Sequence, residues 1–160
     1  MNIFAIDPGN IQSAWVSYDP ESHALDGFGI SSNICMHAVL DAAASKPHRY
    51  VCEMIASYGM PVGREVFDTC LWVGRFIEQV KTRTQQDMDL MYRREVKLEL
   101  CNSAQAKDAN VRQALLDRFP ASGGGKVPQV GTKAAPGPLY GVSKDVWAAL
   151  GVAITHSSCI

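Results

Sequence analysis

The stretch Asn2-Ile3-Phe4-Ala5-Ile6-Asp7-Pro8-Gly9 decides how the rest of the chain is read. An apolar run from Asn2 to Ile6 delivers one carboxylate, Asp7, and then meets two turn residues. Ala14-Trp15-Val16-Ser17-Tyr18 runs back from that turn. Pro8 and Gly9 stop the first strand just after Asp7, so its carboxylate is expected at the strand's C-terminal edge, where a ligand or metal can reach it. Asp-Pro-Gly by itself also describes an ordinary turn, so the reading depends on partners further along the chain.

The chain has 160 residues, 47% of them hydrophobic, which suits a single globular domain spanning 1–160 with one well-buried core. Fifteen Lys plus Arg stand against 16 Asp plus Glu, a formal charge of -1. Nucleic-acid binders are usually basic overall, so any such surface must be local. The cysteines Cys35, Cys52, Cys70, Cys101 and Cys159 are odd in number and form no Cys-x-x-Cys pair, and they read as reduced core residues. No leader is visible and no apolar run approaches the ~18 residues of a membrane span, so a cytoplasmic protein is expected. The histidines His23, His37, His48 and His156 have no metal-binding spacing and read as surface residues or caps.

Outward from the first turn, Ala24 to Ile30 makes a third strand of an antiparallel meander. Ser31-Ser32-Asn33 supplies a helix cap, and Met36, Val39, Leu40 and Ala43 recur at helical spacing. Tyr50-Val51-Cys52-Glu53-Met54-Ile55 reads as a short buried strand with one charge. A carboxylate in such a run is costly unless it is paired or metal-bound. A long helix begins near Arg64, with Val66, Phe67, Cys70, Leu71, Val73, Phe76, Ile77 and Val80 on one face. Lys81 to Arg94 reads as polar and exposed. Val96, Leu98 and Leu100 alternate with polar neighbours, as in a half-buried strand, and Asn102 to Phe119 reads as a helix capped by Ser103. Residues 121–140 carry Gly123-Gly124-Gly125, Gly131 and Pro136-Gly137-Pro138 and read as a flexible loop. A last helix runs from Lys144 to about Ile154, with Asp145 in its first turn.

Three strands, helix, strand, helix, strand, then helices is the element order of the ribonuclease H-like fold, an α/β architecture with a central mixed five-stranded sheet flanked by helices. In it the first and fourth strands lie side by side and the last helix packs over them. Asp7, Glu53 and Asp145 would then converge.

With these stations, Ile3-Phe4-Ala5-Ile6-Asp7-Pro8-Gly9, the Glu53 strand and Asp145-Val146-Trp147-Ala148-Ala149-Leu150-Gly151-Val152-Ala153 resemble the RuvC family of Holliday junction resolvases. The segments from Tyr58 to Gly63, Phe67 to Phe76 and Pro136 to Val142 look more like its bacteriophage-encoded branch. The resemblance covers nearly the whole chain. It implies a homodimeric endonuclease of branched DNA, dependent on Mg2+ or Mn2+ with two ions per site, with no nucleotide cofactor and no membrane partner. Asp7, Glu53 and Asp145 match the family's acidic metal ligands and catalytic residues. One position departs: the family commonly carries another acid one turn into the last helix, where this chain has Ala148.

The chemistry agrees with the resemblance. Phosphodiester hydrolysis needs an activated water and a charge clamp on the leaving oxygen, and two hard cations about 4 Å apart supply both. Magnesium retains waters and substrate oxygens, so three carboxylates can suffice. Lys97 and Lys107 lie near positions where the family has basic DNA-contacting residues. Lys126 and Lys133 sit in the flexible loop and Lys144 adjoins Asp145, completing the candidate DNA contacts, although ordinary solvated lysines fit the same positions. Tyr58 and Tyr140 are the aromatic candidates for opening a junction, with packing as their other role. Trp72 and Trp147 read as core or interface. The alternative function is a branched-DNA binding protein of the same fold, catalytically weakened or inactive through Ala148. An actin-like phosphotransferase is a third class, opposed by the lack of a second glycine-rich phosphate turn.

Overall fold

The computed structural model describes residues 1–160. Strands β1 (Asn2–Asp7), β2 (Gln12–Asp19), β3 (Ala24–Ser32), β4 (His48–Met54) and β5 (Asp89–Tyr92) form one sheet in the order β3-β2-β1-β4-β5. The first three are antiparallel neighbours, whereas β4 runs parallel to β1 and β5 parallel to β4. Helices α1 (Asn33–Ala44), α2 (Arg64–Thr84), α3 (Arg93–Cys101), α4 (Asp108–Leu116) and α5 (Val146–Ser158) flank it. This is the mixed five-stranded architecture that the sequence implied.

Strand β1 is apolar without alternation because both of its faces are covered. Ile3 and Ala5 belong to the core beneath α5, together with Leu150, Val152 and Ala153. Phe4 and Ile6 belong to the opposite core, with Met36 and Leu40 of α1 and Val73 and Phe76 of α2. Each of the larger of these side chains contributes about 1.5–3 kcal/mol of apolar burial. Ser32 caps α1, its hydroxyl accepting from the Cys35 amide at 3.2 Å.

Several expectations are corrected. The fifth strand is Asp89–Tyr92, inside the stretch expected to be polar and exposed, and Val96–Cys101 belongs to helix α3 instead of a strand. The Glu95 carboxylate accepts from the Tyr92 amide at 2.6 Å and starts that helix, and of its residues Val96 alone is fully buried. Helix α4 begins at Asp108, not Asn102, because Asn102 takes a left-handed conformation that ends α3. The Ser103 hydroxyl caps nothing, accepting instead from the Gln105 amide. On α2, Phe67 and Leu71 are 61% and 62% exposed, so the buried stripe is Thr69, Val73, Phe76 and Val80. His48 and His156 are buried instead of on the surface: His48 bonds Ser17 at 2.9 Å and the Ala43 carbonyl at 3.0 Å, and His156 bonds Asp89 at 2.8 Å. Cys52 is buried, Cys35 and Cys159 are exposed, and all five thiols are free. No helix is long and apolar enough to cross a membrane.

Residues 121–140 are knitted by backbone hydrogen bonds rather than left open. Gly123 donates to Pro128 at 2.8 Å, Gly124 to Ala135 at 2.8 Å, Gly137 to Val130 at 2.9 Å and Leu139 to Gln129 at 2.8 Å. The Leu139 side chain is fully buried beneath this knot. Its glycines therefore serve close backbone approach as well as turning, and the segment delivers the chain into α5 along one defined path.

Candidate active site

Asp7 stands at the C-terminal edge of β1, and the turn behind it is clamped. Ser13 and Asn33, each 1% exposed, are bonded to one another at 2.6 Å, hydroxyl to side-chain carbonyl. The Asn33 side-chain amide donates to the Gly9 carbonyl at 2.8 Å, and the Gly9 amide donates to the Ser13 hydroxyl at 3.3 Å. A Cβ at Gly9 would lie 2.3 Å from the Gln12 carbonyl oxygen, so the turn requires glycine. Buried polar groups satisfied in this way fix a single conformation, here that of the residues following Asp7.

The parallel register pairs Ile6 with Cys52, so Asp7 and Glu53 come next to one another one step along. Both project from the C-terminal ends of parallel strands, where open α/β sheets bind their ligands. Burial above all, then the charges of Glu53 and Asp145, push the Asp7 carboxyl up to about 8, with Arg93 opposing. Glu53 is also raised, chiefly by burial, against the lowering effect of Arg93. Its Oε2 is buried without a hydrogen-bond partner. Asp145 is exposed at the N-terminal boundary of α5, and its side chain caps nothing.

Three clefts adjoin. Asp7, Glu53, Tyr58 and Arg93 line one of about 210 Å³. Tyr58, Arg93, Arg94 and Lys97 line a second of about 510 Å³. Arg93, Asp108, Arg112, Lys144, Asp145 and Ala148 are among the residues of a third, of about 390 Å³. In that third cleft the Arg112 guanidinium rests 4.7 Å over the buried Trp147 ring. Lys144 takes a left-handed conformation (φ 49°) immediately before Asp145. The structure thus brings Asp7 and Glu53 into one cleft and places Asp145 and Lys144 in the neighbouring one, with Lys97 in the second. Lys107, Lys126 and Lys133 are exposed and line none of the three.

No three His, Cys, Asp or Glu side chains are grouped as a preformed metal site. The donor set nevertheless fits a hard divalent cation. It offers only oxygens, one of them orphaned and buried, and the charges of Glu53 and Asp145 disfavour that of Asp7, which a cation would offset.

The sequence matches no family model and no curated protein. Among solved structures, RuvC of Thermus thermophilus superposes with a TM-score of 0.70 at 15% identity, over 98% of this chain and 93% of that one. The fold is RuvC-like. The T. thermophilus RuvC in complex with its Holliday junction substrate matches equally, with a TM-score of 0.70 at 16% identity and the same coverage. At such identities the likeness carries the RuvC-like architecture and leaves the chemistry to the residues.

Sequence reading missed Arg93, Asp108 and Arg112. Arg93 follows β5 directly, so misplacing that strand hid it. Arg112 and Asp108 offered no signal beyond being charges on a helix with an apolar side.

Proposed function

We propose that the chain is a divalent-metal-dependent endonuclease of branched DNA. The observation that carries this reading is the pair of half-buried carboxylates, Asp7 and Glu53, on adjacent parallel strand ends of a RuvC-like fold, with Asp145 beside them. Asp7 would be the ligand shared between two Mg2+ or Mn2+ ions, with Glu53 on one and Asp145 on the other. Bound there, such ions supply an activated water and a clamp for the leaving oxygen. The clamped turn at Gly9 keeps Asp7 in place. Lys97 and Lys144, each lining a cleft beside the acids, are suited to contact phosphates of the bound strand. Lys107, Lys126 and Lys133 extend the basic surface outward.

Cutting two strands of a four-way junction calls for two sites, hence a homodimer. Exposed Phe67 and Leu71, one turn apart on α2, with exposed Met60 and Val62 just before it, are apolar surface that a second copy would cover. The Holliday junction bound in the T. thermophilus complex supports branched DNA as the partner. The resemblance of residues 58–63, 67–76 and 136–142 to the bacteriophage-encoded branch would place the protein in the cytoplasm of a bacterial host.

Ala148, lining the Asp145 cleft where the resembled family carries an acid, favours the second reading: a branched-DNA binder with little or no chemistry. A labelled four-way junction incubated with Mg2+ or Mn2+ separates the two. The nuclease reading predicts paired nicks by the wild type, loss of about 10²-fold or more in Asp145→Asn, and retention or gain in Ala148→Asp. Tight binding without nicks by the wild type, with nicking appearing only in Ala148→Asp, would establish the scaffold instead.

A further inference from the structure

We propose that Arg93 is the residue that grips the reacting phosphodiester, and that Asp108 is the positioning residue that holds its guanidinium ready. The inference rests on the nuclease reading and names a group which that reading does not contain. Arg93 opens α3 directly after β5. The register of β5 on β4, Glu53 with Met91 and Met54 with Tyr92, carries it to the same sheet edge as Glu53. The bond from the Tyr92 amide to Glu95 fixes the strand-to-helix turn on which it sits.

Arg93 is the one residue common to all three clefts. A strand lying from Arg94 and Lys97, past Asp7 and Glu53, towards Arg112 and Lys144 therefore crosses its guanidinium. Its hydrogen bonding is incomplete in a specific way. A guanidinium has five N–H donors. One bond is made, from Nη2 to Asp108 at 2.8 Å, while Nη1 is enclosed without a partner. The charge bears on Asp7 and Glu53 without a hydrogen bond to either. Tethered on one side and 28% exposed, the fork retains donors for an acceptor with paired oxygens. A phosphodiester is such an acceptor, and Arg binds it in a geometry that a lysine ammonium cannot copy. Were Arg93 only a counter-charge for the two acids, a bound metal would make it redundant.

That difference is the test. Single-turnover cleavage of the four-way junction at saturating Mg2+ is compared for wild type, Arg93→Gln, Arg93→Lys and Asp108→Asn. Melting temperature and junction binding are followed in Ca2+. The expected result is that Arg93→Gln slows cleavage about 100-fold or more. Its melting temperature with metal and its junction affinity stay near those of the wild type, and Arg93→Lys recovers only part of the rate. Asp108→Asn gives a smaller loss that disappears in the Arg93→Gln background. Cleavage by Arg93→Gln within about threefold of wild type, or an Asp108→Asn loss that persists without Arg93, overturns the proposal and leaves the nuclease reading intact. A wild type that cuts no junction overturns the nuclease reading and this inference with it.

Discussion

In metal-free solution at pH 8, Asp7→Asn melts at a higher temperature than the wild type by roughly 10 °C or more, the whole of the loss accumulated between the two values of the Asp7 carboxyl. Removing a native carboxylate usually weakens a protein, so the sign is the informative part. The Asp7 carboxyl has an ordinary value of 3.8 and is raised to about 8 in the fold, by burial first and by Glu53 and Asp145 next. Between those two values the folded protein keeps a proton that the unfolded chain has released. Stability contributed by this group is therefore fully present below pH 3.8 and declines as pH rises through about 8. From pH 6 to pH 8 the decline is about 2 kcal/mol, or roughly 5 °C for a chain of this size. The isosteric amide carries no charge and removes the slope. If the cleft holds a metal as proposed, added Mg2+ is expected to stabilise the folded wild type and not Asp7→Asn, reversing the ranking. Thermal melts in EDTA at the two pH values check it; a wild-type melting temperature that does not fall from pH 6 to pH 8 would count against the electrostatics described for the cleft.

The second large effect lies in the knot of residues 121–140. Gly131 has φ 75°, and a Cβ on it would lie 2.3 Å from the Gly137 amide nitrogen and 2.5 Å from the Ala135 carbonyl oxygen. Backbone atoms on both sides cannot yield as a flexible side chain would. Gly131→Ala thus combines backbone strain with overpacking, and a loss of about 3 kcal/mol or more is expected in urea denaturation. Gly59→Ala is the matched control: its φ is 77° but nothing lies within 4 Å of the added carbon, so about 1 kcal/mol is expected. The loss at Gly131 also reaches the site, because Leu139 anchors the segment that leads through Lys144 to Asp145. Mg2+ should stabilise Gly131→Ala less than wild type. Equal costs at Gly131 and Gly59 would mean that the knot is not close-packed.

Two of the proposed acids, Asp7 and Glu53, could be singled out in the sequence because their settings are unusual, and the structure brings these two to one cleft. Asp7 and Glu53 interrupt runs that are otherwise apolar, and an isolated carboxylate in a buried strand calls for a reason. Asp145 was singled out only from its station at the start of the last helix, which the structure begins at Val146 with Asp145 at its boundary. Strand β5 was not legible, since four residues with one inward side chain, Met91, generate no period. On the short helix α3 that forms in place of the expected strand, Val96 and Leu100, four apart, share the core-facing side, while Leu98 falls on the opposite side and is 44% exposed. Three residues were too few to tell this from a strand. Losing β5 also concealed Arg93 at its end and the Asp89 partner of His156. The glycines of residues 121–140 misled for a different reason: the residue that frees a backbone also permits two backbones to touch, and composition does not tell these uses apart.

The measurement that addresses the acidic cleft most directly is a calorimetric titration of the wild type with Mn2+ at pH 7.5, run in two buffers of different ionisation heat. A metal centre built on Asp7, Glu53 and Asp145 must expel the proton that Asp7 retains. The predicted result is saturable binding accompanied by release of close to one proton per chain, with both signals lost in Asp7→Asn. Absence of binding by the wild type, or binding that Asp7→Asn leaves unchanged, would contradict the assignment of this cleft as a metal-dependent active site.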